Sequence, residues 1–322
     1  MNENQGPEVS EPRVVDCEYL RPRFAAAFLL IEGDRAAFID NNTEHSVPLL
    51  LNALREAGRT PEEVDYVIIT HVHLDHSGGT AALMKACPNA VLLAHPKAAP
   101  HMIDPTRLIE GARRVYGAER FSELYGVIEA VDASRVRVME DESVLSWGSR
   151  SLKFLHTRGH ANHHFCILDD DKIYTGDSFG LAYPDLQAQG LFVFPSTSPS
   201  DFDPFEAFKS IDRIQSSGAS SAFLTHFGKI GDLSGAAEQL KSWIQWSDGL
   251  LQTAVSGTQS DETLESFCQT EVLLEMKRRL KARGILWNSD VEELLKLDLD
   301  LNGAGIAVTA RKRRAKLTPT QG

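Results

Sequence analysis

"THVHLDHSGG", residues 70–79, sets three histidines and one aspartate within six positions, His71 to His76. It follows the apolar, β-branched run "VDYVII", residues 64–69, which reads as a buried strand. Extended residues two apart point the same way, so His71 and His73 can grip one ion. The chain then turns toward a helix, from whose first turn Asp75 and His76 face a second ion. Gly78 and Gly79 let the backbone turn and approach closely without a Cβ clash.

Three more ligand-type side chains stand where other apolar runs give way to glycine-bearing loops. They are His160 in "TRGHANHH", Asp177 in "YTGD" and His226 in "FLTHFG". Strands that end in such loops aim binding residues at one edge of a sheet. Five imidazoles and two carboxylates suit zinc, iron or a similar borderline metal. Seven ligands exceed what one tetrahedral ion needs, so the set suits two ions with one carboxylate bridging. A single histidine is more often an ordinary polar residue, but a cluster of this density reads as a metal or catalytic site. His45, His95 and His101 stay outside the set, and His156 is expected to pack or hydrogen-bond. One of His163 and His164 could orient a ligand.

The ordered segments resemble the metallo-β-lactamase superfamily. Asp40 in "FIDNN", the HxHxDH segment, the glycine–histidine pair at His160, Asp177 and His226 follow one another over about residues 22 to 230. The resemblance implies an α/β fold, a four-layer αββα sandwich, here with a helical insertion and a C-terminal helical extension. It also implies that His71, His73 and His160 bind one metal and Asp75, His76 and His226 a second. Asp177 would bridge them, and Asp40 would orient a ligand without being one. Two divalent ions follow, zinc first, with iron or manganese as alternatives. Leu74 lies between His73 and Asp75, whereas flavodiiron relatives place a glutamate within that segment. Asn41 and Asn42 follow Asp40 where the family often has glycine. Arg158 stands at the family's common proline; it reads as a surface ion-pairing residue, with contact to a charged substrate as the alternative.

The rest of the chain sets the frame. Of 322 residues, 42% are hydrophobic, enough for a substantial core. A formal net charge of −12 disfavours nucleic acid as partner. The dense basic cluster "RKRRAK", Arg311 to Lys316, reads as a solvated tail. The cysteines Cys17, Cys87, Cys166 and Cys268 form no CxxC pair, which argues against a disulfide scaffold or a thiolate zinc site. No segment approaches a membrane span, and the polar start lacks the pattern of a secretory signal, so a cytoplasmic protein is expected. The expected organisation is a disordered arm over 1–18, a catalytic domain over 19–232 with a helical insertion at about 97–127, a helical extension over 233–310 and a flexible basic tail over 311–322.

Water activated between two such ions loses a proton near neutral pH, at a pKa of about 7. Asp75, beside the bridging position, can take a proton or steer the nucleophile. The expected activity is hydrolysis of an ester, thioester or lactone in a small molecule. Phosphodiester hydrolysis, a mononuclear iron sulfur-dioxygenase-type reaction and a regulatory metal-binding role are the alternatives. Phe179, Tyr183, Phe192 and Phe194 could line an acyl pocket, with Tyr183 as a donor to a developing oxyanion; the competing reading makes them core. The helical insertion and the C-terminal helices look similar to the extra helices of superfamily thioesterases and phosphorylcholine-esterase-like members, and could cover the site or form a homodimer contact.

Overall fold

The computed structural model describes residues 10–197, 199 and 201–317. The chain divides into two compact units. One runs to His156 and takes in His163–Gly176 and Ser216–Gly231; the other holds Thr157–Asn162, Asp177–Gln215 and the chain from Asp232 onward.

The first unit contains two six-stranded sheets. One sheet is β1 (Arg13–Asp16), β2 (Ala26–Glu32), β3 (Arg35–Ile39), β4 (Val64–Ile68), β5 (Val91–Ala94) and β6 (Val136–Val138), paired in that order. The pairs from β1 to β3 are antiparallel and those from β3 to β6 parallel. The other sheet is β7 (Val144–Trp147), β8 (Arg150–His156), β9 (Phe165–Asp169), β10 (Lys172–Gly176), β11 (Ser221–Leu224) and β12 (Gly228–Ile230), again in sequence order. Only β10 and β11 run parallel in it.

Alternation decides what each strand buries. Along β2, Ala27 and Leu29 face one core while Phe28 and Leu30 face another; along β3, Ala36 and Phe38 separate from Ala37 and Ile39 in the same way. Both faces of this sheet are therefore buried, which is why its strands read as continuous apolar runs. The core made by Phe28, Leu30 and Ile39 continues through Leu152, Phe154, Phe165 and Tyr174 of the other sheet. The helices of this unit are α1 (Val47–Glu56), α2 (Leu74–Ser77), α3 (Thr80–Ala86), α4 (Ala99–Ile103), α5 (Thr106–Tyr116) and α6 (Ala118–Tyr125); α1, α3 and α4 bury residues in the opposite core, and Leu108 of α5 packs against it. Helix α1 illustrates the pattern. Val47, Leu50 and Leu54 recur at helical spacing and all three join this core.

The second unit is helical: α7 (Pro204–Gln215), α8 (Leu233–Ser256), α9 (Asp261–Ala282) and α10 (Ser289–Leu317). Arg314 of α10 caps the end of α8 by donating to the carbonyls of Ala254, Gly257 and Gln259. Asn302, also on α10, binds Thr197 N–H at 2.6 Å and Pro195 O at 3.0 Å, pinning the loop before α7.

Two expectations change. Arg13–Asp16, assigned to an unstructured arm, pair with β2 as β1. Arg311–Lys316, assigned to a flexible tail, lie in the last turns of α10. Backbone pairing with β2 and the burial of Val15 outweigh the polar composition in the first case, and the hydrogen bonds of Arg311 to Asp261 O and of Arg314 to the end of α8 do so in the second. Among the described residues, no helix is long and apolar enough to cross a membrane.

Arg150, on β8, is fully buried. It pairs with the buried Asp169 and lies 3.5 Å from Glu32, and it donates to Ser10 O and Ile31 O. Removing one partner leaves a buried charge uncompensated. Arg150→Met should therefore lower the unfolding free energy by about 3–5 kcal/mol in urea titration, while Arg150→Met with Asp169→Leu recovers most of the loss. Equal destabilisation by the single and double variants would contradict this.

Candidate metal centre

The fixed point of the first unit's cluster is Asp40, at the end of β3 with φ at +54°. This left-handed conformation is uncommon for a side-chain-bearing residue. The Asp40 carboxylate is buried, and it accepts from Thr70 N–H at 2.8 Å, Thr70 Oγ1 at 3.0 Å and Thr225 Oγ1 at 2.9 Å. His76 Nδ1 lies 2.8 Å from Asp40 Oδ2. An ionised carboxylate only accepts, so His76 carries its proton on Nδ1 and presents the Nε2 lone pair. His226 is fixed in the same way: its Nδ1 is 2.8 Å from Phe24 O, and the Phe24 ring sits edge-on against the imidazole at 5.5 Å.

The two Nε2 atoms converge on one carboxylate. Asp75 Oδ2 is 3.3 Å from His226 Nε2 and 3.8 Å from His76 Nε2. Asp75, His76 and His226 thus form a set whose ligand atoms all lie within 4.8 Å of one another. Ligands about 2.0–2.1 Å from a tetrahedral ion stand about 3.3 Å apart, so these spacings fit a shared cation. His71 packs against His73 and His76 with ring centroids at 4.5 and 4.1 Å, and its Nδ1 is 3.1 Å from Thr70 Oγ1. The HxHxDH turn therefore gathers its four ligand-type side chains, and β11 delivers His226 to them.

Asparagines and a glycine hold that turn in place. Asn42 Nδ2 donates to Asp75 O at 2.8 Å, and Asn41 N–H donates to His76 O at 2.9 Å. A Cβ on Gly79 would fall 2.6 Å from Thr43 O, so only glycine admits this approach. Asn41 and Asn42, noticed in the sequence as departures from the family pattern, supply the stitches.

In the second unit, His160 Nε2 lies 3.4 Å from Asp177 Oδ2. His160 Nδ1 is 3.1 Å from Ser196 O, an acceptor, which again leaves Nε2 as the ligand atom. Gly159, at φ +117°, seats the preceding loop on α7: a Cβ there would lie 2.3 Å from Ala207 N. A cavity of about 20 Å³ borders His160 and Asp177, lined also by Arg158, Ser178, Ser196 and Leu240. The aromatic acyl pocket is not found in it. Phe179, Tyr183, Phe192 and Phe194 are all buried, with Tyr183 and Phe192 each packed on the Phe194 ring. Their apolar area is consumed by the unit's own core.

The other histidines have structural partners. His156 Nε2 contacts Met139 O at 3.0 Å, and its ring lies 4.1 Å from that of His95. His163 Nδ1 receives Val72 N–H at 3.5 Å.

Tyrosines escaped the sequence reading. Tyr19 and Tyr125, both buried, share a hydrogen bond of 3.2 Å between their hydroxyls, and Tyr116 packs on Tyr125 at 5.7 Å. Burial pushes the Tyr19 hydroxyl well above its ordinary range, and the negative field of Asp75 adds to the shift. Burial raises Tyr125 too, with Tyr19 and Tyr116 contributing. Both hydroxyls hold their protons, and Tyr19 donates its own to Tyr125. No sequence motif marks them, because they come from the loop before β2 and from α6.

A family model described as the metallo-beta-lactamase superfamily matches residues 20–211. Among curated proteins, the metallo-beta-lactamase fold-containing protein ST1585 of Sulfurisphaera tokodaii is 30% identical over 141 residues, 43% of this chain and 51% of that protein. A nitric oxide reductase of Moorella thermoacetica is 31% identical over 72 residues, 22% of this chain and 18% of that protein. The chain thus matches about half the length of the first of these relatives and about a fifth of the second. Among solved structures, the metallo-beta-lactamase family protein TTHA1429 from Thermus thermophilus aligns with a TM-score of 0.65 at 19% identity, covering 97% of this chain and 95% of that one. The crystal structure of ST1585 from Sulfolobus tokodaii aligns at 0.63 and 21% identity, covering 92% and 97%. At these identities the structural likeness concerns the fold.

Two measurements follow. Asp40→Asn removes the charge that orients His76 and should weaken metal binding about 10–100-fold in chelator competition; unchanged affinity would contradict the role assigned to Asp40. A raised tyrosine pKa means that the folded state retains a proton which the unfolded chain releases above about pH 10. Stability is then fully present below that pH and falls as pH rises beyond it. Tyr125→Phe should flatten this alkaline decline by at most about 1.4 kcal/mol per pH unit in denaturant titrations. Parallel declines in parent and variant would refute the assignment.

Proposed function

Because the chain belongs to the metallo-beta-lactamase superfamily, we propose that it is a metal-dependent hydrolase that cleaves an ester-type bond of a small molecule: an ester, thioester or lactone. The observation that carries this reading is the convergence of two imidazole Nε2 atoms, each fixed through its Nδ1, on the carboxylate of Asp75. Such a donor set suits a divalent ion of the zinc class. In this reading Asp75, His76 and His226 would hold one ion, His71 and His73 would contribute to a second, and His160 and Asp177 are the candidate ligands of the second unit. When bound, the ions supply an activated water and polarise the substrate oxygen.

The side chains do the rest. Asp40 holds the His76 proton at Nδ1, and Phe24 O holds that of His226, so neither ring can turn its lone pair away. With Oδ2 given to the cation, Asp75 would accept a proton on its other carboxylate oxygen as the bond opens. Tyr19 and Tyr125 keep their hydroxyl protons, that of Tyr19 being donated to Tyr125. Leu74 separates this chain from the glutamate-bearing flavodiiron pattern, so hydrolysis is favoured over the redox chemistry named in the nitric oxide reductase relative.

The decisive pair of variants is His73→Ala and His156→Ala. The first should lose about half or more of the bound metal and reduce hydrolysis about 100-fold or more, while the second retains its metal. Metal content is read by elemental analysis, and activity against thioester, lactone, aryl ester and bis-aryl phosphodiester panels. Equal metal content in the two variants would overturn the ligand assignment. Turnover of the phosphodiester alone would replace the bond type.

A further inference from the structure

The basic cluster at the end of α10 divides by helical spacing. Arg311 and Arg314 turn toward α8 and α9: Arg311 donates to Asp261 O at 2.8 Å, and Arg314 caps α8. Thr309, Lys312, Arg313 and Lys316 fall at i, i+3, i+4 and i+7 on another face. That face borders a cleft of about 510 Å³. Its opposite wall is the loop carrying Arg158 and Gly159, together with the start of α7 at Asp203 and Glu206.

The walls are fixed. Ser210 Oγ donates to Arg158 O at 2.6 Å, Asp203 N–H donates to Gly159 O at 2.9 Å, and Thr309 Oγ1 reaches Phe202 O at 3.4 Å. The carboxylates of the cleft are already engaged. Asp203 accepts from the N–H groups of Phe205 and Glu206, Asp201 accepts from Asn162 N–H, and Glu206 pairs with Lys209 at 2.9 Å. Three of the four cations are in the opposite condition. Among the described residues, Arg158, Arg313 and Lys316 form no ion pair. In a chain of net charge −12, converging cations without carboxylate partners leave a local demand for negative charge. This also corrects the reading of Arg158 as a surface ion-pairing residue.

We propose that this cleft binds a small molecule bearing a phosphate ester or pyrophosphate group. The volume suits a metabolite-sized ligand. A guanidinium fork matches phosphate oxygens in pairs, and lysine adds point charge. The concave shape and the acidic balance of the chain select a small anion over nucleic acid or a membrane surface. Arg158, Gly159 and Phe202 line both this cleft and the cavity bordered by His160 and Asp177. A group bound here therefore sits one loop away from two of the candidate ligands. The cleft is argued from its own side chains; that its occupant is the charged end of the substrate rests on the hydrolase reading above.

The test is calorimetric titration of the full-length protein with inorganic pyrophosphate, as isolated and again after metal removal, so that the metal centre is not the binding site. Saturable binding is expected in both. Arg313→Glu with Lys316→Glu should weaken it about tenfold or more, whereas Lys281→Glu with Lys296→Glu, an equal change of net charge elsewhere, should alter it by less than about twofold. A KM for a phosphorylated ester that rises in the cleft variant, with kcat held, identifies the occupant as the substrate's own phosphate. A KM that stays constant while pyrophosphate loses its effect on the rate identifies a separate phosphorylated ligand. Pyrophosphate binding without turnover of any ester supports the cleft and removes the hydrolase reading. No saturable binding to the metal-depleted protein, or equal weakening in both charge-reversed variants, overturns the proposal.

Discussion

The buried carboxylate of Asp40 is the interaction on which the first unit's site depends. Burying an ionised carboxylate is costly unless every lone pair finds a donor. Here the donors come from three parts of the chain: Thr70 just after β4, Thr225 just after β11, and the ring of His76 in the α2 turn. One charge thereby ties strand ends of both sheets to the histidine turn. Its strained backbone at φ +54° is tolerated because those contacts over-determine it. The geometry of the lone pairs follows. With Nδ1 committed, His76 offers Nε2 and nothing else, and the carbonyl of Phe24 imposes the same choice on His226.

The division of labour between the units has a physical logic. The first unit builds rigidity by burying both faces of one sheet, so the loops at its strand ends inherit fixed positions. The second unit is helical and holds its loops by specific hydrogen bonds, as Asn302 holds Pro195 and Thr197. A charge on the last turn of α10 thus has two uses. Toward α8 it closes open helix carbonyls; toward the cleft it remains available to an anion.

Legibility in the sequence followed from how local each signal was. The histidine turn and the alternating runs of β2 and β3 state their geometry within a few residues, so the hairpin and the ligand cluster were readable. So was the need for glycine at Gly79, although the carbonyl it avoids, Thr43 O, was not. Features built from distant segments escaped. The Tyr19–Tyr125 hydrogen bond joins residues 106 positions apart. The aromatics from Phe179 to Phe194 looked like a pocket because composition cannot separate a pocket wall from a core. The basic run at Arg311 read as a solvated tail because the carbonyls it caps lie more than fifty residues away.

The central claim is that His76 and His226 present Nε2, and Asp75 its Oδ2, to one shared cation. The most direct measurement is an anomalous difference map at the zinc absorption edge from crystals grown with zinc. The account predicts a peak bonded to His76 Nε2, His226 Nε2 and Asp75 at about 2.0–2.2 Å, with Asp40 still on His76 Nδ1. A metal bonded through either Nδ1, or no peak among these three side chains, would contradict it.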